Sequence, residues 1–69
     1  MEKTISIPVE GMSCEHCVRA VKGALETQKG VRAVEVSLEG KSARVVYDEG
    51  IISPDALKVA ILEEGYQVK

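Results

Sequence analysis

Residues 4–25 read TISIPVEGMSCEHCVRAVKGAL and join a strand pattern directly to a helix pattern. In the first part, Ile5, Ile7 and Val9 alternate with polar or smaller residues, which is the period-two pattern of a half-buried strand over residues 4–9. Pro8 lies on the outer side of this pattern and predicts either a sheet edge or the end of a strand. Residues 10–13 contain Gly11 and are predicted to form a loop.

A helix is predicted from about Glu15 to Gln28, because apolar residues recur there at spacings of three and four. This apolar stripe comprises Cys17, Val18, Val21, Ala24 and Leu25. Gly30 follows the helix at a position where a left-handed residue would form its carboxyl-terminal cap.

The second half of the chain repeats these signals. Two further strands are predicted on either side of a tight turn at residues 39–41, with Val46 half exposed. Their core-facing residues are Val34, Val36, Leu38, Ala43, Val45 and Tyr47. Ser53 and Pro54 predict the start of a second helix, which ends at Gly65 and is followed by a short strand at residues 66–68. The inward residues of this helix are Leu57, Ala60 and Ile61.

The predicted order is therefore βαββαβ, which belongs to the α+β class. Two right-handed strand–helix–strand units of this kind form a ferredoxin-like fold, a four-stranded antiparallel sheet with both helices on one face. The chain has 69 residues, which is room for one domain, and we assign residues 1–69 to it.

Composition excludes several classes of partner. The chain has 9 Lys and Arg against 11 Asp and Glu, a net charge of -2, which gives no reason to expect nucleic acid. It has no Phe or Trp for base stacking. The longest apolar run, residues 59–62, is far below the roughly 20 residues of a membrane span, and no signal peptide is recognisable. We therefore expect a cytoplasmic protein without membrane insertion.

Cys14 and Cys17 are the candidate functional residues of the chain. In a reducing compartment, two cysteines at this spacing are more often metal-binding or redox-active than structural. Cys14 would lie just before the first helix and Cys17 in its first turn, where the helix dipole and free amides favour thiolates. Thiolates select soft ions, and two of them suit two-coordinate Cu(I), whereas protein-bound zinc usually takes four ligands. We predict a Cu(I) site at this pair.

The residues Gly11-Met12-Ser13-Cys14-Glu15-His16-Cys17 resemble the Gly-Met-x-Cys-x-x-Cys signature of the heavy-metal-associated domain. Together with Gly65-Tyr66, they make the chain most similar to the small bacterial copper chaperones, over essentially its whole length. The resemblance implies that Met12 supports the metal loop from the core and that Tyr66 lies beside it. Ser13 stands where the related zinc and cadmium pumps often carry an aspartate, which favours copper.

The resemblance implies handover rather than catalysis. A non-enzymatic chaperone would deliver Cu(I) by thiolate exchange to the metal-binding domain of a copper-transporting P-type ATPase, with a copper-responsive regulator as a further partner. The copper-free protein would be a monomer, and two facing sites could bridge a dimer through copper. A basic patch of Arg19, Lys22 and Lys29 is a hypothesis for docking.

Other interpretations stay open from the sequence. The chain could be a metal-binding domain excised from a heavy-metal ATPase, although Met1 and the ending at Lys69 favour a free-standing protein. It could bind mercury or zinc instead. A thiol–disulfide oxidoreductase also uses a Cys-x-x-Cys pair at a helix start, but the residues around this pair do not resemble the thioredoxin pattern. The role of His16 between the two cysteines is not decided.

Overall fold

The computed structural model describes residues 1–68. Its elements are β1 (Glu2–Glu10), α1 (Glu15–Glu26), β2 (Val31–Ser37), β3 (Ser42–Asp48), α2 (Pro54–Glu63) and β4 (Gln67–Val68). The strands form one antiparallel sheet in the order β2-β3-β1-β4. The two helices contact each other and pack on the sheet. The predicted α+β, ferredoxin-like βαββαβ fold is therefore confirmed.

The first strand has neighbours on both sides, but not along its whole length. β1 pairs with β3 over Glu2–Pro8 and with β4 only at Val9 and Glu10, so on the side away from β3 no described strand pairs with Pro8, as the edge interpretation predicted. The strand itself continues to Glu10, so Pro8 does not end it. The backbone N–H of Val9 donates to the carbonyl of Lys41 at 2.9 Å. The nitrogen of Pro8, one residue earlier, therefore faces away from β3, and that ladder loses no hydrogen bond.

The first helix is shorter than predicted. It ends at Glu26, whereas the sequence pattern predicted an end near Gln28. Thr27 terminates it by donating its N–H to the carbonyl of Gly23 and its hydroxyl to that of Ala24. Gly30 does have a left-handed φ of 99°, but it lies in the turn before β2, beyond the helix cap. Lys29 is likewise outside the helix, at the end of α1 opposite the cysteines.

The second helix begins as predicted. Ser53 is its amino-terminal cap, and its hydroxyl accepts the N–H of Ala56 at 3.3 Å. The helix ends at Glu63, and Gly65 follows with a φ of 93°. Tyr66 precedes β4, so the last strand begins one residue later than predicted, and Lys69 lies outside the described residues.

In the β2–β3 hairpin, the sequence analysis placed one residue wrongly. Leu38 does not point into the core; it lies in the turn after β2 and is exposed. The strand ends at Ser37 because residues 38–41 form the turn, in which Lys41 takes a left-handed φ of 51°. The predicted inward residues of β3 are all buried, and Val46 is half-buried.

The core lies between the sheet and the two helices. Its buried residues are Ile7, Val9, Met12, Val21, Leu25, Val34, Ala43, Val45, Tyr47, Ile52, Leu57, Ala60 and Ile61. Met12 belongs to the loop between β1 and α1, so this loop is anchored in the core and holds the cysteines at one end of the domain.

Candidate metal centre

The metal loop, residues 11–17, connects β1 to the first turn of α1. It opens at Gly11, whose φ of 97° is readily accessible only to glycine. A β-carbon at Gly11 would lie 3.4 Å from Cδ1 of Tyr66, so the tyrosine ring packs directly against the loop backbone. The loop is therefore held between Met12 in the core and Tyr66 on its outer side.

Both predicted ligands lie at the start of α1. Cys14 is the amino-terminal cap residue, and its carbonyl accepts the N–H groups of Cys17 at 3.0 Å and Val18 at 3.2 Å. Its side chain makes no capping hydrogen bond within the described chain. The resulting helical turn brings the two Sγ atoms to 3.7 Å, with Cys14 exposed and Cys17 half-buried. Neither cysteine is in a disulfide.

This separation allows one metal ion to contact both sulfurs. A metal–thiolate bond is about 2.3 Å long for zinc, so two such bonds span at most about 4.6 Å. The observed 3.7 Å lies within that limit. No group of three or more His, Cys, Asp and Glu side chains suited to a metal ion occurs in residues 1–68, and the candidate site is the sulfur pair.

The environment of Cys17 favours its thiolate. Hydrogen bonding from the Tyr66 phenol is the largest influence that lowers the pKa of Cys17, from its ordinary 9.0 to about 6. Backbone hydrogen bonds of Ser13 and the Cys14 thiol act in the same direction, whereas partial burial opposes them. The same contact raises the pKa of Tyr66, because the phenol donates its proton to the sulfur. At neutral pH, Cys17 is therefore mainly a thiolate.

Ser13 makes a contact that the sequence analysis did not predict. Its Oγ lies 4.0 Å from Sγ of Cys17, so its hydroxyl lies beside the predicted ligand. The spacing of four residues across a helix start is the signal that could have identified this contact.

Met12 and His16 differ in their relation to the sulfurs. Met12 is only 8% exposed and packs in the core, as the resemblance implied. His16 is exposed on the first turn of α1. The structure therefore brings together Cys14, Cys17, Ser13 and Tyr66, and it leaves Met12 beneath the loop.

An open groove of about 450 Å³ borders the metal loop on the side of the β2–β3 turn. It is lined by residues 8–12 together with Gly40 and Lys41. Gly11 and Met12 therefore belong both to this groove and to the metal loop. No helix within residues 1–68 has the length and apolar character needed to cross a bilayer.

Comparisons with known proteins agree with this geometry. The sequence profile of the heavy-metal-associated domain matches residues 6–67. The chain is 49% identical over 63 residues to copper chaperone CopZ of Staphylococcus haemolyticus, covering 91% of this chain and 93% of that protein. It is 41% identical over 63 residues to copper-transporting ATPase 1 of Mus musculus, which covers 91% of this chain but 4% of the ATPase. A solved structure of a CopZ metallochaperone superposes with a TM-score of 0.95 at 39% identity, covering 97% of this chain and 100% of that one.

Proposed function

This chain belongs to the heavy-metal-associated domain family, and on that premise we propose that it is a copper chaperone that carries Cu(I) on Cys14 and Cys17. The observation that carries the proposal is the pair of thiol sulfurs, 3.7 Å apart on an accessible helix start. The similarity to copper chaperones over nearly their whole length supports it. Residues 1–69 would act as one domain, in the cytoplasm, where the thiols stay reduced.

The donor set favours Cu(I) over zinc. Two soft thiolates satisfy a two-coordinate Cu(I) ion, whereas a zinc site in a protein usually needs four ligands. The low pKa of Cys17, about 6, means that one ligand is already deprotonated at neutral pH. Protons therefore compete less with the metal ion for this sulfur.

The exposure of Cys14 suits ligand exchange rather than storage. An incoming thiolate of a partner can reach the ion from the open side of the metal loop and form a three-coordinate bridge. One original sulfur then leaves, and the ion moves without becoming free. This handover involves no covalent chemistry on a substrate, so we propose no enzymatic activity.

The acceptor we propose is the metal-binding domain of a copper-transporting P-type ATPase. The similarity of this chain to part of such an ATPase supports it, because donor and acceptor would then share one fold. A copper-responsive regulator is a second proposed partner. The copper-free chain would be a monomer, and two facing sulfur pairs would bridge a dimer, which sedimentation with and without Cu(I) would test.

The test is an anaerobic titration of the reduced protein with Cu(I) against a competing chelator, repeated with Zn(II). We expect near one-to-one Cu(I) binding that outcompetes zinc. Replacing either Cys14→Ser or Cys17→Ser should lower the Cu(I) affinity by more than about 100-fold, which exceeds the effect of losing an outer-shell contact. His16→Asn is the matched control within the same motif and should retain binding. Binding that is indifferent to the cysteines would contradict the proposal.

A further inference from the structure

The two sulfurs of the metal loop lie at a separation that also permits a bond between them. Sγ of Cys14 and Sγ of Cys17 are 3.7 Å apart, and a disulfide would bring them to about 2.0 Å. The N–H of Cys17 donates to the carbonyl of Cys14, three residues earlier. A turn closed in this way keeps the two Cα atoms within about 7 Å, which is the reach of a disulfide. The pair can therefore lose two electrons while the loop keeps its fold.

The metal loop offers few of the donors that divalent copper prefers. Cu(II) favours nitrogen and oxygen ligands in a tetragonal arrangement, whereas thiolates select the monovalent ion. His16 is the single histidine of the chain, yet within residues 1–68 it forms no three-donor group with the sulfurs. Met12 is buried beneath the loop. Cu(II) that reaches the loop therefore meets two sulfurs without the further donors that would hold it in the divalent state.

The two sulfurs differ in access. Cys14 is exposed and Cys17 is half-buried, so an ion that arrives from solvent contacts Cys14 first. Cys17 then follows from the same helical turn. These are the only two cysteines in the sequence, so once they are joined no other thiol of this chain can reduce them again. Recovery of the pair requires an external thiol, which attacks the exposed sulfur of Cys14 and releases Cys17 as the leaving group.

We propose that this chain takes up copper only downstream of a one-electron reduction of Cu(II), because Cu(II) oxidises the ligand pair that Cu(I) would occupy. The inference rests on the proposed function. Two Cu(II) ions each accept one electron, any protons still on the sulfurs are released, and one bond forms between Sγ of Cys14 and Sγ of Cys17. The products are two Cu(I) ions and a disulfide, which has no thiolate left to bind either of them. A reductant of Cu(II) must therefore act before this chain in the transfer of copper.

The test adds excess Cu(II) sulfate to the reduced protein without oxygen. Electron paramagnetic resonance follows the loss of Cu(II), and copper is then removed with a chelator. Alkylation by iodoacetamide with mass spectrometry counts the thiols that remain. We expect about two Cu(II) ions to disappear for each disulfide formed, since each thiolate supplies one electron. The same amount of copper added as Cu(I) should leave both thiols intact.

The matched control is Cys14→Ser, which keeps one thiol and cannot close the bond within one chain. It should lose at most about one Cu(II) ion per chain, through a disulfide between two chains whose formation accelerates with protein concentration. A dithiol added to the oxidised unmodified protein should restore Cu(I) binding.

The outcomes separate the inference from the proposed function. If the protein binds Cu(I) but its Cu(II) signal persists, or both thiols are still alkylated after Cu(II) is removed, the inference is overturned while the proposed function stands. If the reduced protein does not bind Cu(I), the proposed function fails and the inference fails with it.

Discussion

The Tyr66 phenol is the largest influence on the pKa of the Cys17 thiol, so the residue before β4 acts on a proposed metal ligand in the first turn of α1. The two groups respond in opposite directions, because the phenol donates to the sulfur and stabilises its negative charge. The pKa of Cys17 falls, and that of Tyr66 rises. Tyr66 therefore acts on the thiol of a proposed ligand, in addition to packing on Gly11.

Replacing Tyr66→Phe should raise the pKa of Cys17 from about 6 towards its ordinary value, because the largest stabilising contact of the thiolate is lost. The measurement is the pH dependence of Cys17 alkylation by iodoacetamide, followed by mass spectrometry of the Cys17 peptide. Tyr47→Phe, in the core, is the control and should leave the profile in place. A midpoint near 6 in the Tyr66→Phe protein would contradict this assignment.

The stability of the reduced, metal-free protein should increase with pH between about 6 and 9.0. Cys17 has a lower pKa in the folded than in the unfolded state, so its contribution is complete above 9.0 and is lost as the pH falls through about 6. Urea unfolding across this range measures the effect. Cys17→Ser should flatten the pH dependence, and an unchanged slope in that variant would assign the effect to another group.

Gly23→Ala should stabilise the protein by about 1 kcal/mol, because glycine in a helix interior is unfavourable by roughly that amount. A β-carbon at Gly23 meets nothing within 4 Å, so no clash offsets the gain. Gly30→Ala is the contrasting variant, since its β-carbon would lie 2.8 Å from Cγ2 of Ile51 at a φ of 99°. It should destabilise the protein. Thermal unfolding distinguishes the two, and equal effects would contradict the prediction.

Asp48→Asn should destabilise the end of the domain opposite the metal loop. The Asp48 carboxylate accepts the N–H of Gly50 at 2.9 Å and lies 3.5 Å from the amino-terminal ammonium group, and both contacts lower its pKa. Because its pKa is lower in the folded protein, the Asp48 carboxylate stabilises the fold at pH values above its ordinary pKa of 3.8. This contribution is lost as the pH falls further. The difference from the unmodified protein should therefore be present at pH 7 and shrink in acid.

The matched control for Asp48 is Glu49→Gln, which removes an exposed ion pair with Lys3. Exposed pairs contribute little, so this variant should unfold almost like the unmodified protein. Denaturation of both variants at pH 7 and in acid makes the comparison. A difference for Asp48→Asn that does not diminish in acid would show that its effect is not electrostatic.

The sequence predicts the features that depend on local pattern. The alternation of β1, the Ser53 cap and the sulfur pair all follow from spacing within a few residues, and the structure has each of them. What it could not predict depends on how distant segments meet. The choice between a sheet edge and a strand end at Pro8 depends on β4 pairing with only the last two residues of β1, and the exposure of Leu38 depends on where the β2–β3 turn begins.

The residues of the candidate site also differ in whether local sequence spacing predicts them. Spacing alone places Cys14 and Cys17 on one helical turn, and Ser13 follows at the same helix start. Tyr66 reaches the site from the other end of the chain, so only the family resemblance indicated it. The left-handed conformation of Lys41 and its position beside Val9 were not predicted, because they arise from the hairpin geometry, for which residue type gives no signal.

Cys14 occupies the amino-terminal cap of α1, where a residue suited to metal binding stabilises the helix less than a good capping residue would. A cysteine there leaves the first amides of α1 without the side-chain acceptor that serine would supply, and such caps contribute about 0.5–2 kcal/mol. Cys14→Ser should therefore give a metal-deficient protein that is more stable than its copper-free parent in urea unfolding. Equal or lower stability would contradict this view. At this single residue, a lower free energy of unfolding would then accompany the capacity to bind copper, which is a stability–activity trade-off.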